Sequence, residues 1–75
     1  MSWVLVTILF LPSGGKVGTV SYFASGDACE AQVRVVRAAP YINESNFRYR
    51  CANLHGRRPE FVVKAIAEEL NPSAN

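Results

Sequence analysis

The chain has 75 residues, of which 49% are apolar and only 19% charged, a composition that excludes a disordered segment and leaves room for one domain. Eight Lys and Arg against six Asp and Glu give a formal charge of +2, too weak a field to imply a polyanionic partner unless the charges cluster. A chain of this size buries only ~60% of the surface its unfolded form exposes, so a disulfide or a partner subunit would add stability that a small core does not supply.

Trp3 to Leu11 is a short apolar run rich in β-branched and aromatic residues and closed by Pro12, Gly14 and Gly15, which predicts a strand followed by a turn. One side carries Trp3, Leu5, Thr7, Leu9 and Leu11, the other Val4, Val6, Ile8 and Phe10. With almost no polar alternation, this strand belongs in the middle of a sheet that is covered above and below. No Lys or Arg leads into the run and no small-x-small cleavage site follows it closely, so a secretory signal is not expected and a cytoplasmic protein is. The run supplies roughly half of the ~20 apolar residues a bilayer span requires, so no membrane association is expected.

Lys16 to Ala24 mixes Val17, Val20, Tyr22 and Phe23 with Gly18, Thr19 and Ser21, a less apolar strand suited to a sheet edge. Ser13-Gly14-Gly15-Lys16 lacks the upstream glycine of a phosphate-binding loop and leads into this strand, not into a helix, so it is read as a hairpin connection. A helix opens near Asp27, with Glu30 placed to complete a capping box and Ser25 as the competing cap. Asp27, Glu30, Arg34 and Arg37 form its polar stripe, while Cys29, Val33 and Val36, flanked by Ala28, Val35 and Ala39, form its apolar surface. Pro40 ends the helix at Ala39.

After a polar loop, Phe47-Arg48-Tyr49-Arg50-Cys51 alternates strictly, which predicts a half-buried strand with Phe47, Tyr49 and Cys51 inward and the two arginines opposite. Asn43-Glu44-Ser45 in that loop fits a glycosylation acceptor by composition alone and marks an exposed turn. Pro59 suits a first helical position, and an amphipathic helix over 59–71 follows, stopped by Asn71 and Pro72. Its apolar stripe reads Phe61, Val62, Ala65, Ile66 and Leu70, opposite Glu60, Lys64 and Glu68. The expected fold is a single α/β (α+β) domain over 1–75, with a core at 3–54 and topology β-β-α-β-α. Its three-stranded sheet has order 2-1-3 and one helix packed on a face. The other face is then left for the last helix or for another chain.

Cys29 and Cys51 both face the layer between the first helix and the sheet, where they stand either as a disulfide or as two buried thiols packing as hydrophobes. A catalytic thiolate at Cys29 would need His55, the one histidine, as its base. Two cysteines and one histidine are too few for a structural zinc site in one chain, and no cofactor loop is present. Arg48, Arg50, Arg57 and Arg58, with His55 between them, place five basic or potentially basic groups within eleven residues, a candidate surface for an anionic partner such as nucleic acid. Phe47 and Tyr49 alternate to the side away from Arg48 and Arg50, which weakens them as a stacking platform.

The run Phe23-Ala24-Ser25-Gly26-Asp27-Ala28-Cys29-Glu30-Ala31, with Tyr49-Arg50-Cys51 after the helix, resembles a loosely defined type of small two-cysteine protein found in phages and bacteria. In that type an apolar first strand precedes a cysteine at a helix start and a second on a strand. The resemblance covers about the first two thirds of the chain and implies no activity and no site residue. With no acid–base pair, metal set or cofactor site to assemble, the expected function is a non-enzymatic interaction domain that binds a larger protein or itself. Phe61, Val62, Ile66 and Leu70 are its candidate interface. A nucleic-acid-binding module using the basic cluster is the alternative.

Overall fold

The computed structural model describes residues 2–70 of the chain. The elements run β1 (Trp3–Phe10), β2 (Lys16–Phe23), α1 (Gly26–Arg37), β3 (Phe47–Asn53) and α2 (Pro59–Leu70). The strands form one sheet of order β2-β1-β3, and β1 runs antiparallel to both neighbours, with Thr7 opposite Thr19 on one side and Tyr49 on the other. The most apolar segment thus occupies the centre. Val4, Leu5, Val6, Thr7 and Ile8 are all buried, Val4 completely.

Both faces of that central strand are covered by the chain's own helices. On one face Leu5 packs with Cys29 and Val33 of α1, flanked by Phe23, Tyr49 and Cys51. On the other Val4 and Val6 pack with Leu54 and with Val62 and Ile66 of α2, flanked by Ala52, Val63 and Leu70. This settles the covering of the second face, which the sequence leaves between the last helix and a second chain. The physical reason is reach. Leu54 donates its N–H to Ser2 O at 2.8 Å and so extends the β3 pairing, and Arg57 N–H turns back onto Leu54 O at 2.9 Å, so the chain re-enters over the sheet within one tight turn. His55 takes a left-handed φ of 53° in that turn, and its N–H donates to Asn53 Oδ1.

Local details depart from the sequence reading in three places. Ser25, not Asp27, caps α1: Ala28 N–H donates to Ser25 Oγ at 3.1 Å, and Asp27 lies inside the first turn, where a carboxylate favours the helix dipole. Gly26 lets the Trp3 ring lie against the helix start, since a Cβ there would be only 3.0 Å from that ring. Val35 points away from the sheet at 67% exposure, so the apolar surface of α1 is narrower than its composition suggests. The buried stripe of α2 is rotated toward Val63 and away from Phe61, which is 64% exposed beneath the Arg58 guanidinium at 5.9 Å. Arg58 contributes only its backbone carbonyl to the start of α2, accepting from Phe61 and Val62. The expected stop at Asn71 and Pro72 lies outside the described residues.

Gly14, at φ 98°, closes the β1–β2 connection. Its N–H donates to Leu11 O, and Leu11 N–H donates to Gly15 O, a left-handed position that favours glycine in a hairpin loop. Between α1 and β3 the Asn43 carboxamide oxygen accepts from Ser45 N–H, Ser45 Oγ and Asn46 N–H. The Asn43-Glu44-Ser45 triplet therefore serves as an Asx-type turn.

Candidate functional site

Cys29 and Cys51 are joined as a disulfide, with Cα atoms 6.1 Å apart. Cys29 is fully buried, so the sulfur is neither exposed nor a thiolate, and the bond ties the first turn of α1 to β3. Of the candidate interface residues, Val62 and Ile66 are buried against β1 and Leu70 packs on the same core. That corrects their reading as a spare apolar surface, because the chain's own sheet takes them. Phe61 alone of the four stays largely exposed.

The basic cluster is spread along β3 and the turn beyond it. Arg48 donates to the Glu44 carbonyl at 2.8 Å and lies over the Phe10 ring at 5.8 Å. Arg50 is ion-paired with Glu69 of α2. Arg57 and Arg58 belong to the turn at the far end of β3, where Arg57 Nε donates to Leu54 O and Arg58 stands 4.0 Å from Glu60. Phe47 and Tyr49 stack on each other on the α1 side, with Arg37 over Tyr49. A shallow groove of about 230 Å³ between β3 and α2 does bring Arg50, Arg57 and Phe61 together, with Glu69 on its wall.

The most open element is β2. Every residue from Lys16 to Tyr22 is exposed, and Val17, Val20 and Tyr22 retain 47%, 44% and 44% of their surface. Phe10 N–H donates to Asn46 O and Leu54 N–H to Ser2 O, so the even residues of β1 hydrogen-bond toward β3 and the odd ones toward β2. By the strand register, Lys16, Gly18, Val20 and Tyr22 then turn their N–H and C=O groups outward, away from the sheet. Their side chains share the face of Val4, Val6 and Ile8. Because α2 covers β1 and β3 there, an apolar groove of about 230 Å³ is left between α2 and β2, lined by Val6, Ile8, Val20, Val63 and Ala67.

Thr19 fixes β2 from the opposite face, its hydroxyl bonded to that of the buried Thr7. The strand carries one charge, Lys16 at its start, and no proline. Beyond Lys16 it lacks the charged or kinking residues by which natural sheets block edge pairing. The sequence marks β2 as an edge strand but does not single out its outer side. The available signal was the absence of charge over seven consecutive residues, Val17 to Phe23.

Among the described residues no helix is long and apolar enough to cross a membrane. Compared with protein-family models, with curated proteins and with solved structures, the chain matches none.

Proposed function

We propose that the protein is a small non-catalytic interaction domain whose working surface is the outer edge of β2, where it takes up an extended segment of chain by strand addition. The observation that carries this reading is an unguarded edge, eight residues long, with the outward backbone groups of Lys16, Gly18, Val20 and Tyr22 beside an apolar groove. Main-chain hydrogen bonds to such an edge supply affinity, and alternate side chains entering the groove supply selectivity. α1 on one face, α2 on the other and the disulfide to β3 brace the sheet, so the ordering cost of binding falls on the incoming segment.

Selection of random peptides against the folded protein tests the reading. Binders are expected, and their affinity should fall at least about tenfold on Val20→Pro, which removes a central outward N–H, while Arg57→Ala leaves them unaffected. Failure to enrich any binder, or binding indifferent to Val20→Pro, contradicts it. The Cys29–Cys51 bond supports an oxidising compartment in place of the cytoplasm expected from sequence, because such bonds form and persist where thiols are not kept reduced. Alkylation of protein taken directly from its source cells should leave both sulfurs unmodified.

A further inference from the structure

We infer that the segment taken up by β2 is the β2 of a second copy of this chain, paired antiparallel about a two-fold axis at Thr19. The inference rests on the strand-addition reading and names its partner. The edge itself narrows the choice: with Lys16 as its single charge, β2 offers no electrostatic handle for an acidic or basic partner strand, whereas it is complementary to itself. With Thr19 opposite Thr19 of the partner subunit, Gly18 faces Val20 of the partner subunit and Lys16 faces Tyr22 of the partner subunit. Each of the four outward residues then meets another outward residue, the condition for exchanging two hydrogen bonds per pair. Shifting the register by two residues in either direction leaves one outward residue of the strand facing a position beyond its end.

The side chains agree with the backbone. The small Gly18 stands opposite Val20 of the partner subunit, which leaves space on the groove side where both copies carry the apolar lining of Val6, Ile8 and Val63. Lys16 lies opposite an aromatic ring and not opposite its own copy, so no like charges meet. On the α1 side Val17, 47% exposed, faces Ser21 of the partner subunit. The product is one continuous six-stranded sheet built from two three-stranded ones, with a β3 strand at each end. Because those end strands carry Arg48 and Arg50, the isologous contact closes at two copies.

Sedimentation velocity over a concentration series tests this on the disulfide-intact protein. The wild type is expected to be a reversible dimer. Tyr22→Lys, an exposed substitution that sets a second ammonium opposite Lys16 twice per dimer, should raise the dissociation constant about tenfold. Lys16→Glu combined with Tyr22→Lys should restore it, since each new carboxylate then faces a new ammonium. A monomer at every concentration overturns the self-pairing, as does a dimer indifferent to Tyr22→Lys or one that the double variant fails to rescue. Failure of self-pairing is separable from failure of the strand-addition reading: a monomer whose β2 still binds selected peptides loses only the former, and one that binds none loses both.

Discussion

The two edges of this sheet are built to opposite specifications. β3 carries Arg48 and Arg50, is fastened to α1 through Cys51 and to α2 through the Arg50–Glu69 ion pair, and receives the end of α1 through Arg37 over Tyr49. β2 has one charge, no covalent tie, and a groove where the covering helix stops short. An edge strand left long, flat and uncharged invites another chain, and natural proteins normally suppress that invitation with charge, proline or a bulge. Here the suppression is applied to one edge only. On the proposed strand-addition reading, this asymmetry, more than any single residue, distinguishes the surface offered to a partner from the surface withheld.

The largest effect is expected from breaking the withheld side. Cys29→Ala with Cys51→Ala removes a cross-link over a sequence separation of 22, and loop entropy puts the loss at about 3 kcal/mol of unfolding free energy. Thermal or urea denaturation reads it directly, and a loss below about 1 kcal/mol would mean that α1 is held by packing alone. A smaller cost is expected where β2 is anchored. Thr19→Val leaves the hydroxyl of Thr7, which is 7% exposed, without its partner, and should cost about 1–2 kcal/mol in the same assay.

Smallest in stability, but sharpest in meaning, is Arg48→Thr with Arg50→Thr. Loss of the half-exposed Arg50–Glu69 pair should cost less than about 1 kcal/mol. The variant should nevertheless assemble beyond dimers, because both edges are then unguarded. Light scattering that shows no species larger than the wild type would mean that the arginines are not what closes β3.

Much of the fold was legible because β1 has no polar face. Val4, Val6, Ile8 and Phe10 on one side and Leu5 and Leu9 on the other force a central position, and the antiparallel neighbours follow from a short hairpin and a helical crossover. Helix phase was less legible. Phe61 and Ala65 share helical spacing with Val62 and Ile66 as well as Val63 and Ala67 do, and the choice falls to the tight turn at His55 and to Arg58 covering Phe61. The start of α1 was ambiguous for a similar reason: Ser25 and Asp27 both suit a cap, and only the bond from Ala28 N–H to Ser25 Oγ distinguishes them. Whether Cys29 and Cys51 were bonded depended on a Cα separation that spacing does not encode.

The candidate surface was hidden for a different reason. Periodicity finds what is buried, and it therefore drew notice to Val62 and Ile66, which the chain uses itself. An unguarded edge is marked by what it omits, and the uncharged stretch from Val17 to Phe23 has no periodic signature. The basic cluster showed the converse limit: proximity in sequence along a strand and turn does not bring Arg48 to the same end of the sheet as Arg57 and Arg58.

Residue-resolved amide exchange, measured on dilute and on concentrated protein, tests the asymmetry most directly. The outward amides of Gly18, Val20 and Tyr22 should slow as concentration rises, while those of Tyr49 and Cys51 on the opposite edge should not change. Equal rates for the β2 amides at both concentrations, or protection that builds at Tyr49 and Cys51 in their place, would contradict the pairing of β2 with the β2 of a second copy.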